Sequence, residues 1–186
     1  VKCNICEARQ GMDQKTNAGD ASRWQDALYD ELRHSGITQF AYVPDAGHSI
    51  LIDRSLADPD AHSVGLTSEQ EGVAMLAGAD LGGARGVLLM QSSGTGNCIN
   101  MLSLIKGSRF PFLTLITMRG EFGEGNPWQY AMGQAVEPVL KAMGASDEAA
   151  AQAIRVSLGW TTTPEEVDLF ISVLAAVRDR IGPRRL

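Results

Sequence analysis

Aromatic residues, cysteine and positive charge are all scarce in this chain, and each scarcity closes off a class of protein. Lys and Arg number 16 against 22 Asp and Glu, a net charge of −6. An acidic balance of that size argues against nucleic acid or an anionic membrane as the main partner. Cysteine occurs three times, an odd number that cannot make a disulfide framework. Cys3 and Cys6 form a C-x2-C pair, but no second Cys or His pair follows at zinc-site spacing. Free thiols in a loose N-terminal arm are therefore expected, and no metal site. No apolar run approaches the roughly 18 residues of a membrane span, and no signal-peptide pattern opens the sequence, so a cytoplasmic location is expected.

Glycine, by contrast, is abundant at 20 residues, beside 44% apolar and 20% charged residues in a chain of 186. That is the balance of one soluble α/β domain with many tight turns. Residues 1–19 lack periodicity and read as a flexible arm. A helix fits Ser22 to Ser35, with Trp24, Ala27, Leu28 and Leu32 on one face and Gly36 as its stop. Phe40 to Val43 reads as a buried strand that ends in the turn Pro44-Asp45-Ala46-Gly47-His48. A brief helix carrying Ile50, Leu51 and Leu56 closes at Asp58-Pro59-Asp60, and Ser63 to Leu66 is the next strand. A helix follows from near Glu69 to Gly82-Gly83. Val87 to Met90 is the third strand, with a helix from Asn97 to Ile105 after it. Phe112 to Met118 is the fourth strand. A glycine-rich loop, 119–126, then leads to a helix around Val136 to Met143.

Short apolar strands alternating with helices, with no hairpin turns between them, imply parallel pairing. The fold class is α/β, a doubly wound, mostly parallel sheet flanked by helices. In such sheets ligands sit beyond the carboxyl ends of the strands, where Pro44–His48, Ser68–Glu69, Ser92–Asn97 and the loop from Arg119 all fall.

Two junctions in the stretch Leu66–Asn100 stand out. Glu69 places a carboxylate at a helix start, where an acid also serves simply to offset the helix dipole. Ser92-Ser93-Gly94-Thr95-Gly96-Asn97 reads as a small-residue turn whose backbone N–H groups could meet a ligand, or as a plain strand-to-helix turn. It is neither G-x-G-x-x-G nor a P-loop, because no Gly-Lys-Ser/Thr follows, so nucleotide binding is poorly supported. Asp45 and His48 are candidates for proton transfer or substrate contact; His48 fits a solvent-facing loop residue equally well. Arg119 could meet an anionic head group or close a surface salt bridge. His34 and His62 read as ordinary surface or strand positions.

The run Ser68 to Ala79, with Glu69 followed nine residues later by Gly78, resembles the pyrimidine-binding (PYR) domain of thiamine diphosphate enzymes. Val43-Pro44-Asp45, Gln91 to Asn97 and Met118-Arg119-Gly120-Glu121 look like the sulfopyruvate decarboxylase alpha subunit and the related phosphonopyruvate decarboxylases. The resemblance covers residues 20–144 and implies the thiamine diphosphate-binding fold. It implies that Glu69 is catalytic, sharing a proton with the cofactor's aminopyrimidine; a Gln there would keep the hydrogen bond but not the proton. By the same resemblance Pro44, Ser92, Ser93, Gly94 and Asn97 would join Glu69 along the cofactor. Asp45, His48 and Arg119 would face the substrate, a small anionic 2-keto acid. Glu71 reads as structural.

In that family the cofactor's diphosphate and Mg2+ are held by a second domain bearing a Gly-Asp-Gly, a tripeptide absent from these 186 residues. The resemblance thus implies a complementary subunit that completes the site, and a homo-oligomer if the chain is alone. Sulfopyruvate is the preferred substrate, phosphonopyruvate the alternative, and a non-catalytic remnant that binds a partner the rival from another class. Residues 145–186 read as a strand-helix extension that completes the domain or is appended to it, with Thr163-Pro164-Glu165-Glu166 as the helix start. From about Leu140 onward the sequence resembles the C-terminus of cysteine desulfurases, with Arg155 matching a substrate-carboxylate arginine. The lysine-bearing domain of those enzymes is missing, so that activity is not expected.

Overall fold

A strand of four consecutive apolar residues sends alternate side chains to opposite faces of its sheet, so it is stable only if both faces are covered. Val87, Leu88, Leu89 and Met90 are such a run, and all four are fully buried in the computed structural model of the chain, which describes residues 24–120, 123–143 and 172. They lie in β3 (Arg85–Gln91), flanked by β1 (Ile37–Tyr42) and β4 (Thr114–Thr117), with β2 (His62–Gly65) outside β1. All pairings are parallel and the order is β2-β1-β3-β4. Phe40 stands opposite Val87, and Leu89 opposite Leu115.

The alternation sorts the core into two layers. Phe40, Val87, Leu89 and Leu115 meet Leu28, Tyr29 and Leu32 of α1 (Trp24–His34) and Leu51 and Ile52 of α2 (Ser49–Ala57). Ala41, Leu88 and Met90 meet Val73 and Leu76 of α3 (Glu69–Leu81) and Leu102 of α5 (Ile99–Ser108) on the other face. The chain steps from β1 outward to β2, then crosses back over β1 to β3. The winding direction therefore reverses between β1 and β3, the switch point where doubly wound sheets open a crevice. The α/β, doubly wound reading of the sequence holds.

Helix ends follow local chemistry. Gly36 after α1 and Gly83 after α3 take positive φ of 79° and 81°, which a side chain would disfavour. Glu71 accepts a hydrogen bond from the Thr67 backbone N–H at 3.0 Å and so ties the approach to α3, the structural part expected of it.

Three local expectations need correction. Ser92-Ser93-Gly94-Thr95-Gly96-Asn97 is not an open turn but a short helix, α4 (Ser92–Asn97), and α5 follows it from Ile99. These residues are poor helix formers, but Ser92, Gly94 and Thr95 are buried, so packing overrides propensity. The last described helix, α6 (Gln129–Ala142), begins seven residues before Val136. Its first turns lie against the backbone at 119–120, where added side chains on Gly120 and Gly133 would collide with main-chain atoms. Leu56, apolar but on the outer side of α2, is 57% exposed. β1 opens at Ile37 rather than Phe40. The arm with Cys3 and Cys6, Ser22, Glu121 and, apart from residue 172, the extension 145–186 with Arg155 lie outside the described residues.

Candidate functional site

The rim of the sheet is built where three strands run out. Beyond β1, Asp45 begins a short 3-10 turn (Ala46–His48) and accepts from the Gly47 N–H at 3.0 Å. Its carboxylate also accepts from Gln91 Nε2 at 3.3 Å, the last residue of β3, and from Thr117 Oγ1 at 2.8 Å, the last of β4. Gln91 Oε1 in turn accepts from Ser93 Oγ at 2.9 Å and from Gln129 Nε2 at 3.2 Å. A polar chain thus spans the switch point and joins three strand tips to α4 and α6. Asp45 is its hub; Pro44 beside it is exposed.

Glu69 opens α3 and is only 6% exposed. Its Oε2 accepts from Asn97 Nδ2 at 2.9 Å, across 28 residues of sequence. Burying a carboxylate is costly unless it is hydrogen-bonded, and this amide supplies the bond. α4 is shaped to receive the side chain. A Cβ added at Gly94 would stand 2.5 Å from Cγ and Oε1 of Glu69 and 2.6 Å from Cδ. Gly94, Asn97 and Cys98 stand at i, i+3 and i+4, one face of a helical turn. The Cys98 thiol donates to the Gly94 carbonyl at 3.2 Å and is pushed up to about 11, first by burial and then by the charge of Glu69.

His48 is buried rather than solvent-facing, at 5% exposure. Its Nε2 donates to the Met90 carbonyl at 3.2 Å; a carbonyl only accepts, so that nitrogen carries the proton. Burial pushes its pKa down and favours the neutral ring. The residue packs against the end of β3. Exposed His34 and His62 fit their surface reading.

Arg119 is engaged with its own loop. Its Nε and Nη2 donate to Glu124 at 2.6 and 2.7 Å, a bidentate pair, and Glu124 also accepts from the Gly120 and Asn126 N–H groups. The guanidinium hydrogen bonds hold Glu124 down at about 2. The salt-bridge alternative describes Arg119 in this arrangement, and its charge is already matched before any anion arrives. Ser92, fully buried, accepts from the Arg119 backbone N–H at 3.1 Å and so anchors α4 to the end of β4.

The structure therefore brings Asp45, Ser92, Ser93 and Arg119 together by hydrogen bonds at one rim, and pairs Glu69 with Asn97 and Gly94. The hydroxyls of Ser92 and Ser93 are committed to protein partners. Gln91, Thr117 and Gln129 were missed from sequence. Gln91 carried a usable signal, as the polar residue closing the buried apolar run of β3, and Thr117 a weaker one, as the polar end of β4. Gln129 carried none, because only the packing of α6 buries it. Among the described residues no three His, Cys, Asp or Glu side chains converge to hold a metal ion, and no described helix is long and apolar enough to cross a membrane.

No family model matches the sequence. Individual relatives do. The chain is 36% identical over 117 residues to the sulfopyruvate decarboxylase subunit alpha of Methanococcus maripaludis, covering 62% of this chain and 70% of that one. It is 32% identical over 153 residues to the phosphonopyruvate decarboxylase of Streptomyces viridochromogenes, covering 81% of this chain but only 35% of that longer protein. Among solved structures, a putative thiamin diphosphate-dependent enzyme of Mycobacterium smegmatis aligns at TM-score 0.47 and 22% identity, over 55% of this chain and 20% of that one. That superposition is too partial to weigh in the assignment. The identity to the methanococcal subunit, sustained over more than two thirds of its length, does carry weight: the chain belongs to the family of sulfopyruvate decarboxylase alpha subunits.

Proposed function

We propose that this chain is the pyrimidine-binding alpha subunit of a thiamine diphosphate-dependent 2-keto acid decarboxylase. Its preferred reaction is sulfopyruvate to sulfoacetaldehyde and CO2. The observation that carries the reading is the buried carboxylate of Glu69, held through Oε2 by Asn97 and bordered at Oε1 by the space that Gly94 leaves.

The residues fit the cofactor's aminopyrimidine. A buried carboxylate with one oxygen tied and no further hydrogen bond to the other among the described residues suits a ring nitrogen as partner. Glu69 Oε1 would accept and return one proton there, shielded from water. Pro44, Ser93, Gly94 and Asn97 would form the wall around it, with Ser92 behind as anchor. When bound, the cofactor supplies a carbon nucleophile for the keto carbon and an electron sink for the departing carboxylate. Asp45 and the polar chain from Gln91 to Thr117 keep the strand tips in place along the substrate side. His48 backs the rim as a neutral ring, and Arg119 reaches an anionic substituent only by sharing or leaving Glu124. The diphosphate and Mg2+ belong to a complementary subunit, in keeping with the name subunit alpha carried by the relatives. Phosphonopyruvate is the second substrate reading, favoured by the Streptomyces relative. A cytoplasmic enzyme is the setting this chemistry suits.

The test mixes the chain with a partner subunit bearing the Gly-Asp-Gly domain, thiamine diphosphate and Mg2+, and measures CO2 released from sulfopyruvate and from phosphonopyruvate. Release from sulfopyruvate is expected, and Glu69→Gln should reduce it by a hundredfold or more, on the order of losing a positioned proton-transfer group. A folded, associated mixture that releases nothing leaves the chain as a non-catalytic binding subunit.

A further inference from the structure

We propose that Asn97 is a positioning residue for Glu69: its side-chain amide holds Oε2 and so selects Oε1 as the oxygen that exchanges a proton. This rests on the reading of Glu69 above and deepens it.

Three observations converge. The Nδ2–Oε2 bond of 2.9 Å is within the range of a charge-assisted hydrogen bond, and it joins an amide on α4 to a carboxylate that is 6% exposed on α3. An amide does not titrate in the working range, so it can fix a carboxylate without competing for its proton. A lysine or a second acid at position 97 would compete. Second, Gly94 on the same helical face leaves room for the acid: a Cβ there would meet Cγ, Cδ and Oε1 together, so the Glu69 side chain lies against Gly94 while the Asn97 amide holds its other oxygen. Third, α4 itself is braced. Cys98 N–H closes on the Gly94 carbonyl at 3.2 Å, and Met132 of α6 lies 3.1 Å from where a Cβ on Gly96 would be. Asn97 is an exposed residue as a whole, yet its amide is turned to the buried acid. The bond to Glu69 runs from protein to protein, so the primary part of Asn97 is to orient the acid; the second N–H of Nδ2 and the Oδ1 serve a secondary contact with a ligand.

The test has two arms. In the first, the isolated chain is labelled with 15N, and the Asn97 side-chain amide is assigned by its disappearance in Asn97→Ser. Its resonances should move with pH along a single carboxylate titration, and that movement should vanish in Glu69→Gln. Cys98, the titratable neighbour on the same face, does not confuse the measurement, since burial and the charge of Glu69 push its thiol up to about 11, far above the carboxylate range. A pH-independent Asn97 amide, or a titration that survives Glu69→Gln, overturns the proposal whatever the chain catalyses. In the second arm, Asn97→Ala and Asn97→Asp are assayed in the assembled, active complex. Loss of one hydrogen bond to a charged group should lower kcat by roughly 10- to 100-fold, with KM for the keto acid within about twofold. Asn97→Asp keeps the shape but makes two carboxylates share a site, so it should be at least as damaging as Asn97→Ala. A near-wild-type Asn97→Asp would mean that shape alone matters and would overturn the positioning role. If the wild-type complex is inactive, the functional reading fails, and the first arm still decides the inference.

Discussion

Replacing Gly94 by alanine should separate stability from activity in this protein. Glycine in a helix is about 1 kcal/mol worse than alanine, so α4 itself would gain from the change. Against that stands the added methyl, 2.5 Å from Cγ and Oε1 of Glu69 and 2.6 Å from Cδ. Carbon atoms settle at about 3.5 Å or more, so the Glu69 side chain must withdraw by roughly 1 Å. Overpacking of this kind costs about 1–3 kcal/mol, and the atoms that must yield are a flexible side chain rather than backbone. The two terms leave a net loss of roughly 0–2 kcal/mol, a fall of a few degrees in Tm. Activity should suffer far more, because a displacement of about 1 Å in a catalytic group costs on the order of a hundredfold. Thermal melts of the chain and CO2 release by the assembled complex measure the two effects side by side. Wild-type turnover in Gly94→Ala would refute the placement of Glu69 against α4. A collapse of the fold would refute the claim that the side chain, not the helix, gives way.

Two further perturbations probe the rim. Asp45→Ala removes the acceptor shared by Gln91, Thr117 and the Gly47 N–H. It should cost about 1–3 kcal/mol in denaturant unfolding, since donors at two strand tips and in the turn after β1 lose their partner, while Asp45→Asn should recover part of that; unchanged stability in Asp45→Ala would mean the polar chain is not an anchor. For His48, burial lowers the pKa in the folded chain below the ordinary value near 6.5. The unfolded chain therefore binds the proton more readily, and the stability held at neutral pH is lost progressively as pH falls below about 6.5. Unfolding free energies measured between about pH 7.5 and 5.5 should show that slope, and His48→Gln, which retains a donor for Met90, should flatten it. Equal slopes in the two proteins would count against a buried neutral ring.

The layered sheet was legible because β3 announces itself. Four apolar residues in succession require two covered faces, and the helices between strands require parallel pairing. Glu69 was legible as a carboxylate at a helix start, though position alone could not separate catalysis from dipole compensation. The serine–glycine stretch after Gln91 misled for a physical reason: its residues have low helix propensity, and only burial against neighbouring elements makes them helical. The early start of α6 was hidden likewise, because Gln129 is polar and its burial comes from the close approach of Gly133 to the loop at Arg119.

Hydrophobic period and local caps already encode the order of strands and helices, the fold class and an acid at the head of α3. Tertiary structure alone decided which partners those groups meet. It turned His48 inward onto the Met90 carbonyl, committed Arg119 to Glu124, and laid the Asn97 amide on Glu69 across 28 residues. Such pairings depend on how helices pack over the switch point, and no local propensity encodes the distance between α3 and α4.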